Sequence, residues 1–364
     1  MITISLCMIV KNEEDVLGRC LDSVKDLVEE IIVVDTGSSD NTREIARQRG
    51  AKLYEFPWRD DFAAARNYAF DQATQEYLLW LDADDVLEPL DREAFRQLKE
   101  TLDPAVQMVM MPYHVAFDQA DNPTFTYLRE RLMRRDAGFR FEGAVHEAVA
   151  PRGLTVQAEA AVSHRKLRPG ESGRNLRIFE KMLREGRALD PRQQYYYARE
   201  LMDNGRTAEA AEKLEDFLRG GQGWIENILG ACRDLAACRE RLGDEQGALY
   251  ALLGALAYAP PRAELCCEIG LHFFKKGNYA AAAFWYELAT ARPENEGGGF
   301  HQPDCGNYIP YLQLCVCYDR LGDRMQAEAY NELAAGVKPD DPAVAHNRCL
   351  LYTSPFTFFL IQCA

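Results

Sequence analysis

The run Tyr77-Leu78-Leu79-Trp80-Leu81 stops at three carboxylates within four positions, Asp82, Asp84 and Asp85. Five apolar residues in succession suffice for one buried strand and fall far short of a membrane span. A buried strand of this kind fits an α/β sheet, which binds ligands beyond the carboxyl ends of its strands. Carboxylates packed so closely repel one another, so a positive group must offset them. A hard divalent cation, which takes oxygen ligands and itself holds phosphate oxygens, is the natural candidate. The bland alternative for the cluster alone is a solvated acidic turn opening a helix at Pro89.

Strand and helix signals alternate through the first 115 or so residues, as in a mostly parallel sheet. Ile2 to Val10 reads as a strand, and Glu13 to Val24 carries a helical apolar stripe. Glu30 to Asp35 is a second buried strand, followed by the turn Gly37-Ser38-Ser39-Asp40-Asn41 and a helix through Gln48 that Ser39 or Asp40 caps. Ala51 to Phe56, Tyr77 to Leu81 and Val106 to Tyr113 supply further strands, with helices over Phe62 to Ala73 and Asp91 to Leu102. Between Asp118 and Ser163 the short β-like pieces Phe125 to Leu132, Phe139 to Phe141 and Thr155 to Val156 suggest a mixed end to the sheet.

From Arg174 the pattern is helical and repetitive. Gly205, Gly243, Gly277 and Gly322 each have an alanine five residues on, at Ala210, Ala248, Ala282 and Ala327. Ala255, Ala289 and Ala334 fall twelve after their glycines, where the first unit has Phe217, and Pro260, Pro293 and Pro339 close three units. Glycine permits a turn, small residues let paired helices approach, and proline ends the unit. This resembles the tetratricopeptide repeat. The expected division is an α/β domain over 1–170, helical repeats over 171–348 and an atypical apolar tail over 349–364. Glu294 to Asn307 is a Gly-rich insertion, and the tail reads as a cap, a strand for a partner, or a segment foreign to the natural protein.

Composition narrows the function. The net charge of −15 argues against nucleic acid as a partner, although a nucleotide held through a metal stays open. The eleven cysteines include no CxxC pair and mostly lie in apolar patterns, which suggests buried thiols in a reducing compartment. Met1 to Val10 lacks a basic lead and a cleavage site, and no run is long enough to span a membrane, so the expected location is cytoplasmic.

Asp35 closes a buried strand and suits a hydrogen bond to a ribose or base edge, or else a turn before Gly37. At this point a family resemblance is carried by Cys7-Met8-Ile9-Val10-Lys11-Asn12-Glu13, Val33-Val34-Asp35-Thr36-Gly37-Ser38-Ser39-Asp40-Asn41-Thr42, Ala65-Arg66-Asn67 and Leu81-Asp82-Ala83-Asp84-Asp85. In this order residues 2 to about 165 resemble a family 2 glycosyltransferase of the GT-A fold. With the repeats, the likeness extends to bacteriocin peptide S-glycosyltransferases and lipopolysaccharide-core sugar transferases. The resemblance implies a nucleotide sugar donor, usually a UDP-sugar, with Mg²⁺ or Mn²⁺, and inversion at the anomeric carbon. It places Asn12, Glu13 and Asp35 at the nucleoside, Arg66 near the diphosphate, Asp82 at ribose or sugar and Asp84 on the metal, with Asn67 also among the donor-binding residues.

Glycosyl transfer also needs a base for the acceptor proton. The family often puts an acid where this chain has His146-Glu147, so Glu147 is the candidate base and His146 a candidate catalytic residue that orients the acceptor or completes the site. His164 is a candidate metal ligand or diphosphate contact, and both histidines have a structural alternative. Tyr195, Tyr196, Tyr197, Tyr250, Phe273, Phe274, Trp285 and Tyr286 read as repeat packing or as an aromatic groove for an acceptor peptide. The expected acceptor is a peptide or saccharide, and the repeats favour a protein partner or a homodimer. The competing reading is a sugar-nucleotide-binding scaffold without catalysis. A nucleotidyltransferase fits less well, because the loop after the first strand is Lys11-Asn12-Glu13-Glu14 rather than Gly-rich and basic.

Overall fold

The computed structural model describes residues 1–118, 121–167, 171–292 and 302–353. The chain divides into two compact units, residues 1–200 and residues from 201 onward. The apolar tail beyond 353 and the greater part of the Gly-rich insertion lie outside the described residues.

The first unit opens with β1 (Ile4–Val10), α1 (Leu17–Val24), β2 (Glu30–Asp35), α2 (Thr42–Gln48), β3 (Lys52–Glu55), α3 (Phe62–Asp71) and β4 (Tyr77–Trp80). β5 (Asp85–Val86), α4 (Pro89–Thr101), β6 (Met108–Phe117), β7 (Pro123–Arg134), β8 (Phe141–Glu142) and β9 (Ala148–Val149) follow. β10 (Thr155–Gln157), β11 (Val162–His164), α5 (Arg174–Arg184) and α6 (Pro191–Asp203) complete it. The main sheet runs β3-β2-β1-β4-β7-β6-β11-β5, with β10 also on β6. The first four are parallel, β7 is antiparallel to both β4 and β6, and β5 is antiparallel to β11.

Both faces of the parallel half are covered, which is why its strands read as unbroken apolar runs. Ile4, Leu6, Met8 and Val10 pack with Leu17, Cys20, Leu21 and Val24 of α1 on one face. Cys7 joins Ile32, Val34, Trp80 and the α3 residues Ala65, Ala69 and Phe70 on the other. This is the expected α/β sheet with a mixed end. Helix α1 begins later than Glu13 because Asn12 is left-handed (φ 56°) and the Glu13 carbonyl first accepts from Val16 N at 3.2 Å. Helices α5 and α6 are helical as expected, and their residues up to Glu200 belong to the first unit. There His146 stacks on Tyr196 at 4.2 Å, Arg174 lies 4.7 Å over Phe62, and Lys181 pairs with Asp60 at 2.6 Å.

The second unit holds α7 (Thr207–Gly220), α8 (Ile225–Arg241), α9 (Glu245–Gly254), α10 (Ala263–Lys275), α11 (Tyr279–Thr290), α12 (Tyr308–Leu321), α13 (Arg324–Val337) and α14 (Pro342–Thr353). Gly243, Gly277 and Gly322 have φ of 80°, 73° and 84° at the turns within the pairs α8/α9, α10/α11 and α12/α13. Nothing lies within 4 Å of a Cβ built on any of them, so the backbone conformation, not space, demands glycine. Ala248, Ala282 and Ala327 are buried where the helices meet, as are Ala255, Ala289 and Ala334. One periodic feature escaped the sequence reading: Asp244, Asn278 and Asp323 follow those glycines and accept from Gly247, Ala281 and Gln326 N, each capping its helix. The expected helix–turn–helix repeats are present.

One close approach does depend on space. A Cβ on Gly270 of α10 would sit 3.0 Å from the Tyr286 ring of α11, which is 1% exposed. The added methyl would force this buried ring to shift by a few tenths of an ångström. Gly270→Ala should therefore destabilise the helical unit by about 1–3 kcal/mol despite the better helix propensity of alanine. A denaturant titration following helix content checks this, and an unchanged midpoint would contradict it.

Nine of the ten described cysteines are buried free thiols, and burial pushes Cys232 and Cys266 up to about 11. No helix among the described residues is long and apolar enough to cross a membrane.

Candidate active site

Three loops meet beyond the carboxyl ends of β1, β2 and β4. Asn12 joins the first two: its N–H donates to Ser38 Oγ at 2.9 Å, and its Oδ1 accepts from Ser39 N at 2.8 Å. Asp35 is buried and accepts from Gly37 N, Ser38 N and Arg43 Nε at 3.1, 3.1 and 2.7 Å. Burial works against its charge, but the hydrogen bonds from Ser38 and Arg43 outweigh it and hold the carboxyl below the usual range. Asp35 thus shapes its own turn, and Arg43 lies over it.

Arg66 comes from α3 and is buried. Its Nε donates to Glu147 Oε1 at 2.6 Å and its Nη2 to Asp82 Oδ1 at 2.7 Å, with the guanidinium 4.6 Å over the Trp80 ring. Burial opposes the charge of Asp82, yet Arg66 and then Arg131 win and hold its carboxyl down at about 2. The expected base and the expected sugar-facing acid are therefore tied to one cation.

Asn67, expected among the donor-binding residues, has its amide engaged by the backbone. Its amide donates to Phe141 O at 3.0 Å and accepts from Phe141 N at 2.9 Å, so both ends clamp β8. His146 also turns to a structural partner: its Nε2 lies 2.8 Å from Glu200 Oε1, and its ring stacks on Tyr196. With φ at 51°, His146 forms a left-handed corner immediately before Glu147.

The acidic end of β4 receives its partners from distant strands. Asp85 lies opposite His164 in the β5–β11 register. Tyr113 OH is 2.9 Å from both Asp85 Oδ1 and His164 Nδ1, and Arg131 Nη1 pairs with Asp85 Oδ2 at 3.0 Å. His164 Nδ1 is 3.4 Å from Asp84 Oδ1. Burial pushes Asp84 up, and the charges of Asp82 and Asp85 add to this, while His164 eases it. Burial lowers His164, but its bond to Asp85 and the charge of Asp84 prevail, so its basicity rises.

The charges do not balance evenly. Arg66 answers Asp82 and Glu147, and Arg131 answers Asp85. Asp84 has only a histidine, and Glu13 is pushed up to about 7 by burial and by the charges of Asp84, Asp82 and Asp40, against a smaller opposing influence of Arg174. Negative charge without a full counter-charge is thus concentrated at Asp84 and Glu13. One atom each from Asp84, Asp85 and His164 lies within 4.8 Å of the others. Carboxylate oxygens suit Mg²⁺ or Mn²⁺, and an imidazole nitrogen is a transition-ion ligand, so the donors fit Mn²⁺ better than Mg²⁺.

The raised Glu13 has a measurable consequence. Its ordinary value near 4.5 rises to about 7 in the folded protein, so the native state binds the proton more tightly than the unfolded chain. That contribution to stability is complete below the ordinary value and is lost as pH rises through the folded one. Melting curves in chelator should show stability falling between about pH 5 and about pH 7.5, and Glu13→Gln should flatten the slope. An unaltered slope in that variant would contradict the assignment.

Asp85 as an interior partner, Tyr113, Arg129, Arg131 and Glu200 were not singled out from the sequence. Arg131 and Arg129 stack on the Trp80 ring at 3.9 and 4.9 Å. Their signal was available: Arg129 and Arg131 alternate on one strand that runs directly into the apolar pair Leu132-Met133. Glu200 lies too far along the chain for any spacing rule to connect it with His146.

The glycosyl transferase family 2 model matches residues 5–149. A TPR repeat-containing protein of Synechococcus elongatus is 43% identical over 160 residues, 44% of this chain and 38% of that protein. The glycosyltransferase SunS of Bacillus subtilis is 28% identical over 232 residues, 58% of this chain and 52% of its own length. The lipopolysaccharide core biosynthesis glycosyltransferase LpsC of Rhizobium meliloti is 30% identical over 159 residues, 41% of this chain and 58% of that protein. The chain thus spans between 38% and 58% of these curated relatives. The match over residues 5–149 takes in the loops after β1, β2 and β4 together with Arg66 and Glu147, so this chain carries a glycosyl transferase family 2 domain, followed by tetratricopeptide-like helix pairs.

Proposed function

We propose that the α/β unit transfers a hexose from a nucleotide diphosphate sugar, a UDP-sugar in the first instance, to a peptide or saccharide acceptor with inversion. The observation that carries this is the uneven charge pattern: Asp82 and Asp85 each pair with an arginine, whereas the ion-pair partner of Asp84 is His164. Asp84 and His164 would hold the Mg²⁺ or Mn²⁺. Bound there, that cation supplies the charge that neutralises a leaving diphosphate.

The other roles follow from placement. The loop tied together by Asn12, Ser38 and Ser39, with Asp35 beneath it, offers the nucleoside a preformed edge. Arg66 holds Asp82 and Glu147 at fixed separation across the sugar position. As the acceptor's sulfur or oxygen bonds to the anomeric carbon, the bond from that carbon to the diphosphate breaks and Glu147 takes the acceptor proton. His146, anchored by Glu200 and Tyr196, sets the corner from which Glu147 projects.

The repeats would serve a protein or peptide partner. Leu218, Leu235, Tyr250, Ala251 and Tyr258 line a groove of about 560 Å³ in the second unit, and Tyr250 is 62% exposed. The carrier of this proposal is donor binding, so thermal-shift measurements with UDP-, GDP- and TDP-sugars, each with and without Mn²⁺, test it. A ligand at a hundredfold excess over its Kd adds about 2.7 kcal/mol to the native state. The expected result is a rise for one nucleotide class that needs Mn²⁺; no rise with any donor would overturn the proposal.

A further inference from the structure

We propose that Asp85, Tyr113 and Arg131 are positioning residues that aim His164 toward Asp84, and that Asp85 is not itself a cation ligand. This rests on the metal reading above and deepens it. By distance alone Asp85 belongs to the ligand group, since its oxygen lies within 4.8 Å of the other two candidates. Its surroundings assign it elsewhere.

The Asp85 carboxylate is fully buried and engaged at both oxygens. Oδ2 accepts from Asp82 N at 2.9 Å and pairs with Arg131 at 3.0 Å, and Oδ1 accepts from Tyr113 OH at 2.9 Å and lies 3.4 Å from His164 Nδ1. The Arg131 side chain is completely buried, with its guanidinium 3.9 Å from the Trp80 ring and 4.4 Å from the Tyr113 ring. Its other polar contact is the Trp80 carbonyl at 3.2 Å, and Asp85 is the carboxylate it pairs with among the described residues. Turning Asp85 to a cation would leave a desolvated guanidinium without its counter-charge, the most costly way to break a buried pair. Asp84 carries no such obligation and is a fifth exposed at its side chain.

Tyr113 then transmits the constraint. A phenol has one proton, and a carboxylate paired with arginine can only accept, so the Tyr113 proton points to Asp85. The phenol oxygen therefore faces His164 Nδ1 at 2.9 Å as an acceptor, which puts the imidazole proton on Nδ1. Nδ1 is also the atom 3.4 Å from Asp84 Oδ1, so a cation shared with Asp84 would be met by the lone pair on Nε2, with Nδ1 held as the donor. An outer carboxylate and hydroxyl that fix the tautomer of a ligand histidine typically tune metal affinity tenfold or more.

The test is Mn²⁺ titration by electron paramagnetic resonance, with UDP present, on Tyr113→Phe, His164→Ala and the double variant, each also melted. Tyr113→Phe removes one oxygen and keeps the ring against Arg131. It should weaken Mn²⁺ about tenfold with little change in melting temperature. In the His164→Ala background the same change should have no further effect, because Tyr113 acts through the histidine. Unchanged Mn²⁺ affinity in Tyr113→Phe, or an equal loss with and without His164, overturns the inference while leaving the metal reading intact. A wild-type protein that takes up no Mn²⁺ sinks the reading beneath it and the inference together.

Discussion

Asp84→Ala should lower turnover of the nucleotide sugar roughly 10²-fold or more and abolish the Mn²⁺-dependent thermal shift, without lowering the melting temperature in chelator. The two halves of this expectation have one cause. In the absence of a cation Asp84, half-buried, sits among like charges, and its carboxyl is pushed up by burial and by Asp82 and Asp85, while His164 eases it. The folded protein pays for keeping that site, so alanine relieves repulsion at neutral pH while removing the oxygen that would grip the metal. Donor hydrolysis and melting curves on the same preparations check both halves. A variant that melts much earlier than wild type would show Asp84 to be a structural acid.

Asp85→Ala should do the opposite. It strands Arg131 in the interior, and removing one partner of a buried pair costs about 3–5 kcal/mol. For a unit of this size that corresponds to a melting temperature lower by roughly 6–20 °C. The immediate neighbours Asp84 and Asp85 are thus expected to part completely, one mattering for turnover and the other for folding. Asp85→Asn, which keeps a hydrogen-bond acceptor for Tyr113, should recover part of the loss. Calorimetry on the apo protein checks the order Asp85→Ala below Asp85→Asn below wild type, and equal melting of all three would contradict the Arg131 pairing.

The parts of the fold that were legible in the sequence are those set by local pattern. The parallel strands announce themselves because both faces are covered, and the helix pairs because each needs a left-handed glycine at its turn. Strand β7 was visible only as a weak piece, since Arg129, Glu130 and Arg131 interrupt its apolar character. Yet it lies centrally between β4 and β6, because its buried end at Leu132 and Met133 pairs with Leu79 and Leu78.

The site divides in the same way. Asp82, Asp84 and Asp35 stand out as candidates because they close or follow apolar strands, the position at which an α/β sheet binds ligands. What spacing could not convey was which cation answers which acid. That depends on β5 returning to β11 and on α3 delivering Arg66, contacts across 16 to 81 residues. Asn67 illustrates the converse: its place beside Arg66 in the motif suggested a ligand contact, whereas α3 turns its amide to the Phe141 backbone.

The central claim is that the acids beyond the Trp80 strand exist to hold a divalent cation with a sugar donor's diphosphate. Anomalous diffraction from crystals grown with Mn²⁺ and UDP tests it most directly. A manganese peak shared by Asp84, His164 and the diphosphate oxygens, with Asp85 still on Arg131, is the predicted result. Crystals containing bound UDP but no manganese at Asp84 would contradict it.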